Sequence, residues 1–274
     1  MLISALDDSD NDIYVHIDKK VKNLPELQTS KSRLFVLSKR IDVRWGHVSQ
    51  IESELLLLEA SHNNGPYDRY SIISGVHLPI KTNTYIKEFF NNYSGTELMH
   101  LWPFDDYEAD TKVRIPNLFV RYYKSNNAIL RTFSQHFWNI NQKIHRLFGI
   151  RHMKDQLFFK SDNWLSLTEK AVSFLVNNKK RILKKYRHSF CGDEFFIATE
   201  LKTADDYFEI IDSDRLLFVD FIIGAPRNLN AKDEQAIIES PCLFARKFDS
   251  SDTAFLNRIL KLTKDGDKDS CLLS

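Results

Sequence analysis

Ile13-Tyr14-Val15-His16-Ile17 is the stretch that decides the fold. It is dominated by β-branched and aromatic residues and follows the polar run Asp7-Asp8-Ser9-Asp10-Asn11-Asp12, so it reads as a strand leaving a turn. Just upstream, Leu2 to Leu6 reads as the end of a helix. Downstream, Arg33-Leu34-Phe35-Val36-Leu37 is a second strand. From Ser49 to Ala60, Ile51, Leu55 and Leu58 alternate with Glu52, Glu54 and Glu59 at helical spacing. That helix stops at Ser61-His62-Asn63-Asn64-Gly65-Pro66. Tyr70 to Ser74 is a third strand and Thr84 to Phe90 a short helix. Strands alternating with helices at this spacing predict an α/β layer sandwich on a mainly parallel sheet.

The remainder follows the same grammar less regularly. Residues 96–158 are aromatic and basic, with a helix expected over Asn126–Phe148. Further helices are expected over 169–183, 194–201, 233–239 and 254–262, and a strand over 216–221. Residues 265–274 read as a frayed tail. With no repeat and no low-complexity linker, residues 1–274 are expected to form one domain.

The 274 residues are 43% hydrophobic and 12% aromatic, enough for a sizeable core. A net charge of +1 argues against a general nucleic-acid binder. Cys191, Cys242 and Cys271 are odd in number and lack Cys-x-x-Cys spacing, so they read as free thiols in a reducing, cytoplasmic setting. No apolar run reaches the length of a membrane span. The basic run Lys179 to Lys185 reads mainly as a solvated helix face. It is also the candidate for peripheral contact with acidic lipid heads at the inner face of a membrane.

Six segments, in order, carry a resemblance: Val15-His16-Ile17-Asp18-Lys19-Lys20; Val43-Arg44-Trp45-Gly46-His47; Tyr70 to Thr82, containing His77-Leu78-Pro79-Ile80-Lys81; Asn163-Trp164-Leu165-Ser166-Leu167-Thr168; Cys191-Gly192-Asp193-Glu194-Phe195-Phe196; and Leu243-Phe244-Ala245-Arg246-Lys247-Phe248-Asp249. Together they resemble the core-2/I-branching β-1,6-N-acetylglucosaminyltransferase family, which includes the peptide xylosyltransferases. The resemblance implies a GT-A-like three-layer α/β fold and metal-independent, inverting transfer from a UDP sugar. The donor it implies is UDP-N-acetylglucosamine first and UDP-xylose second, with a glycan hydroxyl of a surface polysaccharide as acceptor. In that family a strand and helix precede the position of Leu2, so the chain is expected to be N-terminally incomplete. His77 stands where the family has aspartate, and Gly192 where it has proline.

Inverting transfer needs a base for the attacking hydroxyl and positive charge for the departing diphosphate. By spacing alone, Asp193-Glu194 is a helix first turn answering the helix dipole. The resemblance makes Glu194 the base. Four Asp-x-Asp triplets, at 8–10, 10–12, 212–214 and 265–267, read as solvated turns rather than a metal site. Basic side chains can neutralise a diphosphate without a metal, and the resemblance points to Lys247 and, more loosely, Arg227. If the segment around Lys247 is extended, Arg246 and Lys247 point to opposite sides.

Asp18 is expected to accept from uracil or ribose, with His16 packed below it or simply satisfied in the core. Trp45 is expected to shape the sugar pocket. Lys81 and Trp164 are acceptor-side candidates, Trp164 having a core role as its alternative. The competing class is an inactive nucleotide- or glycan-binding relic of the family. A paired-carboxylate hydrolase is disfavoured, because the adjacent Asp193 and Glu194 side chains diverge.

Overall fold

The computed structural model describes residues 1–222 and 225–263; the tail from 264 onward, with Cys271 and the triplet at 265–267, lies outside them. The chain opens with α1 (Leu2–Ala5), β1 (Asp12–Val15) and β2 (Arg33–Val36), then α2 (Ser49–His62). Two short strands follow, β3 (Tyr70–Ser71) and β4 (Leu78–Pro79), then α3 (Asn83–Asn92). Thr82 caps α3 by accepting from the Tyr85 amide, the N-cap arrangement expected of a hydroxyl residue before a helix.

The middle segment holds β5 (Glu97–Met99), β6 (Leu101–Trp102), α4 (Asp106–Ala109), a π-helical turn over Asp110–Arg114 and the long α5 (Ala128–Leu147). After it come β7 (Lys160–Ser161), β8 (Ser166–Leu167), α6 (Glu169–Asn177), α7 (Lys179–Lys185) and α8 (Asp193–Lys202). The last part is built from β9 (Ile210–Asp212), β10 (Leu217–Val219), β11 (Phe221–Ile222), β12 (Ala225–Pro226), α9 (Glu234–Glu239), β13 (Phe244–Arg246) and α10 (Thr253–Leu262).

The result is a mixed α/β protein whose described strands form five sheets of mixed direction rather than one mainly parallel sheet. Of the eight strand pairings among the described residues, β1–β2, β5–β9 and β10–β13 are parallel and the other five antiparallel. The reason lies in pairing partners distant in sequence. β8 inserts antiparallel between β3 and β5, and β4 closes antiparallel on β13. Neither pairing can be read from the order of strands and helices alone.

The main core joins α2, α6 and α8 to the strands. Ile51, Leu55, Leu175, Phe195 and Phe196 are fully buried in it. α8 is buried on nearly every side, from Phe195 to Leu201. A helix enclosed in that way is positioned by packing rather than by propensity. The fold thus fixes the start of α8, where Asp193 and Glu194 stand, against the interior.

Candidate active site

Asp193 and Glu194 do different things, as adjacent side chains on a helix must. Asp193 is buried, and its Oδ2 accepts from Gln50 Nε2 on α2 (2.7 Å) and from Asn163 Nδ2 (2.6 Å). Burial, reinforced by the neighbouring charge of Glu194, pushes its carboxyl up to about 6. The carboxyl of Glu54 on α2 is also driven well above the usual range, by burial and then by Asp193. The two bonds of Asp193 tie the first turn of α8 to α2 and to the loop before β8.

Glu194 turns the other way. Its side chain is 34% exposed, and Oε2 lies 2.5 Å from Lys112 Nζ and 4.0 Å from Lys160 Nζ. Glu108 bridges the same two lysines, at 2.9 and 2.6 Å. Burial works against the Lys112 ammonium, but the charge and hydrogen bond of Glu194, with Glu108, outweigh it and hold it firmly protonated. Lys160 stands opposite Trp102 in the β6–β7 pair, so both side chains share one face of that ribbon. The part-exposed Trp102 donates from Nε1 to Asp162 Oδ1 at 2.8 Å. Asp162 carries a raised pKa, through burial above all.

A second group lies near Asp162. The Arg246 guanidinium sits 4.7 Å over the Trp164 ring, and the His77 ring meets Trp164 edge-on, with centroids 4.6 Å apart. His77 Nδ1 accepts from the Ser74 amide (3.2 Å) and faces Ser74 Oγ (2.8 Å). Burial, then Arg246, lowers its pKa to about 3, so the ring is neutral. Arg246 acts electrostatically on both His77 and Asp162, and the Glu194 charge acts on Asp162. The two groups are therefore neighbours. In the Arg246-Lys247 pair, it is Arg246 that faces Trp164.

The other candidates are placed as follows. Lys247 lies beside Arg227: the Leu229 amide donates to the Lys247 carbonyl (2.7 Å), and residues 227–229 run alongside 246–248. The Arg227 guanidinium is clamped by Asp220 and Asp233. His16 Nε2 accepts from the Ile41 amide (2.8 Å), so it braces the loop after β2. Asp18 pairs with Lys20 at 2.8 Å. Trp45 is exposed, packed edge-on against Phe190 and capped by Lys124 Nζ at 3.5 Å over its ring. Lys81 is buried near Tyr85, away from solvent. Among the described residues, the polar partners of Glu194 are Lys112 and Lys160, and not His16, Asp18, Trp45, Arg227 or Lys247. A surface cavity of about 490 Å³ lies at the far end of α8, beside Leu201, Lys202 and Tyr207.

Of the Asp-x-Asp triplets within the described residues, two are engaged elsewhere: Asp8 and Asp10 pair with Lys87, and Asp12 with Arg33 and Tyr67. In the third, Asp212 is the exposed last residue of β9, with His100 Nδ1 3.0 Å from it, and Asp214 lies exposed in the turn that follows. No three His, Cys, Asp or Glu side chains converge as metal ligands among the described residues. Cys191 and Cys242 are free and buried, as expected. The basic run is not simply solvated: Lys179 pairs with Glu59, while Arg181 and Lys185 both pair with Glu200.

Sequence reasoning missed Lys112, Lys160, Glu108, Trp102 and Asp162. Only the density of basic and aromatic residues in the middle segment hinted at them.

A mixed α/β body that presents one part-exposed carboxylate beside cations and aromatic rings is compatible with a glycosyltransferase. The chain belongs to the core-2/I-branching enzyme family, whose model matches residues 2–222. That family is one of glycosyltransferases, whose members in general use a nucleotide-sugar donor and a glycan acceptor. The match ends before Arg227, Arg246 and Lys247. Comparison with curated proteins returned no match.

Proposed function

We propose that the protein is an inverting, metal-independent glycosyltransferase with a GT-A-like layering, moving N-acetylglucosamine, or xylose, from a UDP sugar to a glycan hydroxyl of a surface polysaccharide in the cytoplasm. The observation that carries this is the posture of Glu194. It is held at the start of a buried helix and turned toward solvent, with Lys112 and Lys160 beside it. In the proposed reaction the Glu194 carboxylate takes the proton of the acceptor hydroxyl. The resulting oxygen attacks the anomeric carbon from the face opposite the diphosphate, and UDP departs. Basic side chains take up the charge that builds on the leaving oxygen. Arg246 and Lys247 are the cations proposed for that role, and the engagement of Asp8, Asp10 and Asp12 by basic partners supports a route that does not recruit those triplets.

The test is turnover in a nucleotide-sugar screen read as UDP release. Glu194→Gln is expected to lose roughly 10²–10⁴-fold in kcat with an unchanged melting temperature. Wild-type activity is expected to survive a chelator. Activity abolished by the chelator and restored by a divalent ion sinks the metal-free route.

The clamp on Arg227 by Asp220 and Asp233 favours a second reading, an inactive nucleotide- or glycan-binding relic. UDP binding without any sugar transfer across the screen would select it.

A further inference from the structure

α5 is turned inside out. Its polar side chains hold it to the body: Gln135 donates to the Tyr123 carbonyl (3.0 Å), Asn141 to the Pro116 carbonyl (2.7 Å), and Trp138 Nε1 and Gln142 to Asn117 Oδ1 (2.6 and 2.7 Å). The buried residues of this helix are Ser134, Asn141 and Gln142. Its apolar residues face out: Ile129, Phe133, Phe137, Ile140, Ile144 and Leu147 are all exposed, the first and last by 80%. At 100° per residue these six fall within an arc of about 80°. The Phe119 ring extends the stripe against Phe133 and Phe137, and Phe148 continues it past the helix end, 71% exposed. A contiguous exposed apolar patch of this kind marks an interaction site.

Charge selects the occupant. From Thr111 to Lys154 the chain has nine Lys and Arg and no Asp or Glu; the whole chain carries +1, so the remainder sums to −8. Lys112, Arg114, Arg121 and Arg151 are paired with carboxylates. Lys124, Arg131, Lys143, Arg146 and Lys154 have no carboxylate partner among the described residues. Lys143 and Lys154 are exposed, and Lys143 flanks the stripe by its helical angle. Two copies meeting through this face would set like charge against like charge. An anionic bilayer surface offers opposite charge and hydrocarbon together, the pair of attractions that holds an amphipathic helix in the interface plane.

We propose that α5 is an interfacial helix that seats the protein on an anionic lipid surface, its apolar stripe in the headgroup–acyl boundary. No helix among the described residues is long and apolar enough to cross a membrane, so the contact is lateral. It falls on α5 rather than on the carboxylate-paired basic run of α7. The inference does not rest on the role of Glu194.

The experiment is flotation of the full chain with vesicles of phosphatidylglycerol and phosphatidylcholine, against phosphatidylcholine alone. The protein is expected to float with the anionic vesicles, less as salt is raised, and weakly with the neutral ones. Phe133→Ser combined with Phe137→Ser should lower vesicle affinity by about tenfold or more, with an unchanged melting temperature. Lys143→Glu with Lys154→Glu should weaken binding and flatten its salt dependence. If the serine pair perturbs folding, Ile129→Ser with Leu147→Ser replaces it. Failure of the wild type to float with anionic vesicles, or serine variants that bind as tightly as wild type, overturns the proposal. So does a concentration-dependent dimer in lipid-free sedimentation that the serine pair abolishes, which assigns the face to a second copy.

Discussion

Lys112 Nζ lies 2.5 Å from Glu194 Oε2, although the two residues are 82 apart in the chain. Glu108 and Lys160 close the group into a ring of two acids and two bases. Within the ring Lys112 holds the Glu194 side chain in one rotamer, which a base must keep to meet its hydroxyl. Lys112→Met removes that hold and leaves only Lys160, at 4.0 Å. The expected outcome is a kcat lowered by roughly 10–100-fold, with part of the loss recovered in Lys112→Arg. Steady-state UDP release measures it. Equal kcat in the methionine variant and the wild type would remove Lys112 from the account.

The sequence exposed α8 and its first-turn acids because a tight Cys191-Gly192 turn, two acids and two phenylalanines announce a helix start locally. It could not expose Lys112, whose relation to Glu194 is set by a π-helical turn and by the pairing of two-residue strands. β6 and β7 are too short to show any periodicity, yet they put Trp102 and Lys160 beside the site. The same limit applies to α5. The sequence predicts a helix over 126–148, and the structure has it over 128–147. A period reveals that one face differs from the other. It does not say which face is buried, and here the usual assignment is reversed. The helix expected over 169–183 breaks at Asn178 into α6 and α7.

UDP binding separates the three cations near the chain's end. A ligand at a hundredfold over its dissociation constant stabilises by about 2.7 kcal/mol, which a thermal-shift titration resolves. Lys247→Ala and Arg246→Ala are each expected to reduce the UDP-induced shift. Arg227→Ala is expected to lower the melting temperature without UDP as well, because it leaves Asp220 and Asp233 unpaired. A UDP shift equal to that of the wild type in all three variants would place the diphosphate elsewhere.

Gly192, at the N-cap of α8, has no room for a side chain. A Cβ built at 192 would lie 2.8 Å from Ser189 Cβ and still closer to its Oγ. Ser189 is buried, with Oγ donating to the Tyr186 carbonyl at 2.8 Å. Gly192→Ala should therefore cost about 1–3 kcal/mol by overpacking. Combined with Ser189→Gly, part of that loss should return, a coupling that a double-mutant cycle of urea denaturation reads directly. Additive losses would mean that Ser189 is not what excludes a side chain at 192.

Two buried groups give the fold opposite responses to acid. Native His77 refuses its proton until about pH 3, whereas an unfolded histidine takes it near 6.5. Stability from His77 is therefore full above 6.5 and is lost as pH falls toward 3. Native Asp193 keeps its proton up to about pH 6, whereas an unfolded aspartate releases it near 3.8. Its contribution therefore improves as pH falls from 6 toward 3.8. Between pH 4 and 6 each slope approaches about 1.4 kcal/mol per unit, with opposite sign, so the two offset in the wild type. Measured against wild type, His77→Gln should gain stability as pH falls through this window and Asp193→Asn should lose it. Denaturant unfolding of the three proteins at pH 4.5 and 6 reads both differences. Flat differences in both variants would mean that neither the neutral histidine nor the protonated aspartate exists in the folded protein.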